Sequence, residues 1–235
     1  MRITVFGAAG GVGSRVVAEA LSRGHNVTAV ARSPRPGYVR GSVGGPAADL
    51  GAGLGAGLEG GLEGGLAGGL VVGNATHVED VARLSAGQDL VISATRPPDG
   101  SEQDLVTTAK ALLAGTRTRL LLVGGAGGLT VPGTGGRTVL DDPRYMLPAY
   151  RKIALACDDQ LAACRAAAEG VDWTYLSPPA TLAPGERTGR YRLGADELLV
   201  DDGGRSHIST EDLAVALIDE AERPRHHRTR FTVAY

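Results

Sequence analysis

The chain has 235 residues, a formal net charge of −2 and 43% hydrophobic residues. That charge balance speaks against a nucleic-acid or membrane surface, and no run reaches the roughly 18 apolar residues of a spanning helix. The length suits one domain over residues 1–235 whose core is large enough to need no disulfide staples.

A strand pattern at Arg2–Phe6 runs into Gly7-Ala8-Ala9-Gly10-Gly11-Val12-Gly13 and then into a helical pattern at Val12–Arg23. The spacing is Gly-x-x-Gly-x-x-Gly, not the Gly-x-Gly-x-x-Gly of ordinary dinucleotide dehydrogenases. A strand that turns sharply into a helix leaves the first helical N–H groups uncovered, and bare backbone there lets a pyrophosphate approach. Gly7, Ala9, Gly10, Gly11, Val12 and Gly13 are therefore candidate cofactor contacts. The next strand pattern, Asn26–Ala31, ends in Arg32-Ser33. NAD enzymes place an acid there for the ribose hydroxyls. Arg32 instead offers guanidinium donors to a 2′-phosphate, helped by Ser33 and Arg35, with Arg15 a weaker candidate for the same phosphate. This predicts NADP(H).

Residues 41–69 carry leucine every fourth residue, at Leu50, Leu54, Leu58, Leu62 and Leu66, with glycine filling most gaps. Each interior glycine costs a helix about 1 kcal/mol relative to alanine, which favours an inserted loop over a leucine-striped helix held by packing. Strand patterns follow at Leu70–Val72, Leu90–Ala94, Leu120–Val123 and Trp173–Leu176, with helical patterns at Val78–Leu84, Glu102–Ala114 and Ala149–Glu169. Such alternation predicts an α/β, Rossmann-type doubly wound parallel sheet. Ligands of these sheets lie outside the carboxyl ends of the strands. That brings in Ala94 and Thr95, Gly124 and Gly125 (beside the nicotinamide, or an ordinary turn), and Asn74, as an adenine contact or a surface turn. Cys157 and Cys164 fall on one helix face about two turns apart, roughly 10 Å, too far for a disulfide. They read as buried small hydrophobes. With no leader pattern at the N-terminus, they predict a cytoplasmic location. The tail adds a helix at Thr210–Glu222, with Ser209 as N-cap and Asp212 as capping-box partner, and a strand at Arg228–Ala234.

The glycine turn, the Gly24-His25-x-Val27 entry to the second strand, and Arg32-Ser33 resemble the atypical short-chain dehydrogenases. The group concerned is the NmrA-like proteins with the NAD(P)H-flavin reductases and biliverdin reductase B-like enzymes. Trp173-Thr174-Tyr175-Leu176-Ser177-Pro178-Pro179, Pro184-Gly185-Glu186-Arg187-Thr188-Gly189-Arg190-Tyr191 and Ser206–Ala214 extend the resemblance over nearly the whole chain apart from residues 41–69. It implies an NADP-binding Rossmann domain in which Pro178 adjoins the cofactor. It also implies a small C-terminal substrate-covering subregion, 177–209, that brings Arg187 and Tyr191 to the substrate side. Proteins of this group reduce flavins, quinones or related conjugated acceptors.

Standard short-chain dehydrogenases use Tyr-x-x-x-Lys, in which the lysine lowers the tyrosine pKa. Here Tyr145 is followed at that spacing by Ala149, and Tyr150 by Ala154. Hydride transfer to a conjugated acceptor needs less help, because the protein contributes mainly proximity and orientation. Tyr150, Lys152 and His207 remain as candidate catalytic groups, and the residues offer no metal site. The expected function is an NADPH-dependent reductase of a flavin, quinone or similar small molecule, with flavin as substrate or as bound cofactor, acting as monomer or homodimer. The rival readings are a non-catalytic NADP sensor and a tailoring isomerase or dehydratase.

Overall fold

The structure is a computed structural model that describes residues 1–33, 70–167 and 170–235. The expectations for Arg35, for residues 41–69 and for the helix end at Glu169 lie outside the described residues. Among those described are ten strands and five α-helices, beginning with β1 (Arg2–Phe6), α1 (Gly11–Ser22), β2 (Asn26–Ala31) and β3 (Leu70–Val72). Then come α2 (Val78–Ser85), β4 (Leu90–Ser93), α3 (Asp104–Gly115), β5 (Arg119–Val123), α4 (Arg151–Arg165) and β6 (Trp173–Ser177). Three short strands follow, β7 (Thr181–Ala183), β8 (Arg192–Gly194) and β9 (His207–Ser209), before α5 (Thr210–Glu222) and β10 (Thr229–Ala234).

The main sheet has the order β3-β2-β1-β4-β5-β6-β10-β8, while β7 and β9 form a separate parallel pair. All neighbours in the main sheet are parallel except β10 and β8. The fold is therefore the expected doubly wound α/β arrangement, corrected by one antiparallel edge strand. Three residues at Arg192–Gly194, two of them exposed, are too short and polar to read as a strand. β4 and β6 are buried along their whole length, as parallel strands covered on both faces must be. Alternation along each strand then sorts the side chains into two cores. Ile3, Val5, Leu121, Leu176 and Phe231 pack with Val16, Val17, Leu213 and Leu217 of α1 and α5. Phe6, Val91, Leu120, Leu122 and Tyr175 pack with Leu112 and Leu161 of α3 and α4. Each such side chain contributes about 1.5–3 kcal/mol on burial, so this sorting holds the register.

The helix ends follow local chemistry. α1 stops in a Schellman turn: Gly24, at φ +77°, donates its N–H to Leu21 O, and His25 N–H reaches Ala20 O. That turn accounts for the Gly24-His25 entry to β2. α4 starts later than the pattern predicts, because Pro148 opens a 3-10 turn over Pro148–Tyr150. Ser209 caps α5 by accepting from Asp212 N–H at 2.9 Å. Asp212 does not close the expected box. Its carboxylate instead takes the N–H groups of Thr188 and Gly189 and the Tyr235 hydroxyl, while Ser209 N–H goes to Tyr235 Oη.

The long connection from β5 to α4 forms a small lobe. Leu129, Val131 and Val139 build a satellite core with Leu198 from the β8–β9 connection. No helix among the described residues is long and apolar enough to cross a membrane.

Candidate functional site

A cleft of about 580 Å³ opens where the strand order reverses, at the carboxyl ends of β2, β1, β4 and β5. Gly7 ends β1 at φ +79°, and a methyl group there would overlap the carbonyl of Ala94, one strand away. Gly13 is required from the other side, since its side chain would run into the Gly7 carbonyl. The first turn of α1 therefore lies directly on the glycine turn. A methyl at Gly11 would meet no protein atom within 4 Å, and the N-cap, Gly10, supplies no capping side chain. Gly10, Gly11 and Val12 thus present open backbone to the cleft, together with Gly7 and Ala9. Gly13 does not line it; its part is the packing that lets the helix start there.

The cleft has two chemically different ends. Around β2 and β3, Arg32, Ser33 and Asn74 form the wall. Asn74 Oδ1 accepts from Thr76 N–H at 3.1 Å, so its carbonyl is committed to a local turn. Ala94 and Thr95 line the middle. Beyond β5, Val123, Leu105, Ile153, Cys157, Leu182 and Pro184 make an apolar pocket beside the Gly124 backbone. Gly124 packs flat on the Tyr175 ring, whose hydroxyl donates to Cys157 O at 2.8 Å. Gly125 faces the Cys157 side chain and not the cleft; Gly128 N–H is held by Asp158 Oδ1 at 2.9 Å. Burial raises the Asp158 carboxyl above its usual range, and burial pushes the Cys157 thiol up to about 12. That thiol is neutral in the working pH range and serves as apolar wall. Cys164 is fully buried, also pushed to about 12 by burial.

Among the described residues, three guanidinium groups, Arg15, Arg32 and Arg96, line the cleft against one carboxylate, Asp104. A chain with net charge −2 thus gathers positive charge where an anionic ligand would lie. Arg15 Nε donates to Glu211 Oε1 at 3.0 Å, which ties it to the start of α5.

The remaining sequence-predicted residues lie elsewhere. Tyr150 and Lys152 are exposed at the start of α4, with Lys152 near Glu102. His207 sits in β9 edge-to-face against Tyr235, with ring centroids 5.2 Å apart. Pro178 is buried behind β6. Arg187 makes a bidentate pair with Glu19 of α1, both bonds at 2.7 Å, and Tyr191 donates its hydroxyl to Asp219 of α5. Both are tied to the α1–α5 layer instead of the cleft, and only Leu182 and Pro184 of the 177–209 segment line it. Arg96, Ile153 and Leu182 were not singled out by the sequence reading. For Ile153 a signal existed: the buried stripe Cys157, Leu161 and Cys164, extended back one turn, points to it.

The profile of a family described as NAD(P)H-binding matches residues 65–224. The chain belongs to this NAD(P)H-binding family of atypical short-chain dehydrogenases. An uncharacterized Bacillus subtilis (strain 168) protein, YwnB, is 32% identical over 242 residues, covering 99% of this chain and 98% of that protein. A Burkholderia pseudomallei structure described as a putative exported protein is 37% identical, with TM-score 0.79 over the whole of both chains. A Bacteroides thetaiotaomicron structure described as a putative epimerase is 33% identical (TM-score 0.79, 100% of this chain and 96% of that one). A Streptococcus pneumoniae TIGR4 structure described as a putative NADH-flavin reductase is 29% identical (TM-score 0.77, 100% and 99%). The family's nicotinamide dinucleotide fits the cleft: Gly10–Val12 offer open backbone where a pyrophosphate would lie, and Gly7 and Gly13 carry no side chain that would distort that turn.

Proposed function

We propose that this protein is an NADPH-dependent reductase that delivers hydride to a flavin, quinone or similar conjugated acceptor. The observation that carries this reading is the face α4 turns to the cleft. It presents Ile153 and Cys157, four residues apart, the spacing of a Tyr-x-x-x-Lys pair. An aliphatic side chain and a neutral thiol stand where an acid and its activating cation would have to stand. No tyrosine, histidine or lysine lines the cleft among the described residues.

A simple ketone needs a proton delivered as the hydride arrives, and this wall offers none. A conjugated acceptor spreads the incoming charge over its own ring, and water supplies its proton afterwards. Bound in the cleft, the reduced nicotinamide supplies one hydride, and acceptor plus NADPH plus one proton gives reduced acceptor plus NADP+. Gly10–Val12 hold the pyrophosphate, Arg32 and Ser33 hold the 2′-phosphate, and Leu105, Ile153, Cys157, Leu182 and Pro184 exclude water around the acceptor ring. The S. pneumoniae relative, described as a putative NADH-flavin reductase, supports the same reaction class. An epimerase, as the B. thetaiotaomicron relative is described (a putative one), needs an acid–base pair placed at the reacting carbon, and the α4 face of the cleft presents only Ile153 and Cys157.

The test is turnover of NADPH and of NADH with a panel of flavins, quinones and simple ketones, on the native protein and Arg32→Ala. Quinones or flavins are reduced with NADPH and ketones are not. Arg32→Ala lowers kcat/KM for NADPH by roughly 10-fold or more and leaves NADH within about threefold, since only NADPH carries the 2′-phosphate. No turnover with any acceptor, while NADP+ still binds, replaces the reductase by an NADP-binding sensor.

A further inference from the structure

We infer that the acceptor carries an anionic group, a phosphate, sulfonate or carboxylate, on its apolar conjugated ring, and that Arg96 binds it. This rests on the reductase reading for the place of the acceptor, and on the distribution of charge in the cleft for the rest.

The cleft's three cations are not equivalent. Arg32 stands at the end of β2, two strands from β4 in the sheet order, so about 10 Å separates those two strand ends. It belongs to the 2′-phosphate end. Arg15, the fifth residue of α1, lines the cleft beside the glycine turn and already shares its guanidinium with Glu211. Arg96 follows β4 on the opposite side of the switch point. It is exposed, it lines the cleft, and no carboxylate pairs with it among the described residues.

The sheet order fixes which end it serves. β4 is hydrogen-bonded to β5, whose end carries Gly124 beside the apolar pocket. Arg96 therefore stands on the β5 side of the cleft, which Cys157, Ile153 and Leu105 also line, and away from the 2′-phosphate end at β2. The nicotinamide half of the cofactor brings no further anion there. Asp104, the one carboxylate that lines the cleft among the described residues, sits in the first turn of α3, where the helix end itself favours negative charge. An exposed guanidinium at the rim of an apolar pocket matches a ligand with a flat ring and a charged tail. The ring is buried, and the tail stays at the mouth in a charge-assisted bond.

The experiment uses two matched pairs of probes: FMN against riboflavin, and 1,4-naphthoquinone-2-sulfonate against 1,4-naphthoquinone. Each is titrated by fluorescence or calorimetry into the native protein saturated with NADP+, and then into Arg96→Ala and Arg96→Lys. In at least one pair the anionic member binds more tightly than its neutral counterpart. Arg96→Ala removes that preference, weakening the anion by roughly 10- to 100-fold while the neutral member moves by less than about threefold. Arg96→Lys keeps part of the preference.

Native protein that prefers neither anion overturns the inference, as does a preference that survives Arg96→Ala. So does an Arg96→Ala protein whose NADP+ affinity falls in proportion, because the guanidinium would then serve the cofactor. Turnover is measured separately on the same probes. An Arg96-dependent preference without any NADPH oxidation sustains the anion site and defeats the reductase reading. Turnover without the preference does the reverse.

Discussion

Gly11 and Gly13 are two residues apart in one helical turn, yet the protein uses them for opposite reasons. A side chain at Gly13 would press into the Gly7 carbonyl, whereas one at Gly11 would enter the cleft and touch no protein atom. Alanine is worth about 1 kcal/mol over glycine in a helix interior, so propensity alone would favour either change. Packing reverses that sign at Gly13, where forcing a methyl group against backbone costs about 1–3 kcal/mol or more. Gly13→Ala is therefore expected to lower the urea midpoint. Gly11→Ala should keep or raise it and weaken NADPH binding, because the new methyl occupies the approach of the pyrophosphate. Urea denaturation and NADPH titration of both variants check this. A Gly11→Ala protein that binds as tightly as the native one would remove the pyrophosphate from that turn.

Among the elements, the segment from Pro184 to Tyr191 behaves as a strap laid across α1 and α5. Glu211 accepts Gly185 N–H at 2.8 Å, Glu19 takes Arg187, Asp212 takes Thr188 and Gly189, and Asp219 takes the Tyr191 hydroxyl. Asp212 is completely buried, so replacing it strands several donors at once. Asp212→Ala should cost about 2–4 kcal/mol of stability and speed hydrogen exchange at Gly185–Gly189. Because Pro184 begins the strap and lines the cleft together with Leu182 of β7, KM for the acceptor should rise while NADPH affinity stays close to native. Unchanged exchange in that segment would show that the strap is held by something other than Asp212. The strap also shows where sequence reading stops. Strands β1 to β6, the helices between them and the glycine turn are legible because periodicity and turn chemistry are local. Pro184–Tyr191 is visible as a motif, but its partners lie on helices up to 168 residues away, as Arg187 and Glu19 do. Residues whose carboxylates and guanidinium pair across that distance carry no local mark of it. In the same way, the phase of α4 places Ile153 at the cleft and turns Lys152 about 100° away from it. Chemistry-bearing residue types drew attention to the lysine; only the buried stripe pointed to the isoleucine.

At the scale of the whole molecule, guanidinium groups gather at the cleft, while carboxylates of α1 and α5 are held ionised by arginines of their own. Glu19 meets Arg187 and Arg23, Asp219 and Glu222 meet Arg23, and Glu220 meets Arg119 and the His226 backbone. For Glu19, Asp212, Asp219 and Glu220 burial opposes ionisation, but the hydrogen bonds around each, joined by cationic partners at all but Asp212, outweigh it and hold the carboxyl below its usual range. In the lobe, Arg144 brings Asp142 down to about 2. Groups depressed in the folded state stabilise it above their unfolded pKa, about 4, and lose that contribution as the pH falls through the folded value. Asp158, raised by burial, has the opposite sign but stands against all of these. The urea midpoint should therefore be level from neutral pH to about 5 and fall between about 4.5 and 2. Glu19→Gln isolates one member of the set. It leaves Arg187 and Arg23 without their shared carboxylate, so it destabilises at neutral pH, by about 1–3 kcal/mol for a half-exposed pair of this kind. Protonation does to native Glu19 what the substitution does permanently, so the gap between the two proteins should close as the pH drops toward 2. Urea melts of both proteins at pH 7, 5, 4, 3 and 2 measure that gap directly; a gap of constant size would mean that Glu19 acts through its shape and packing instead of its charge.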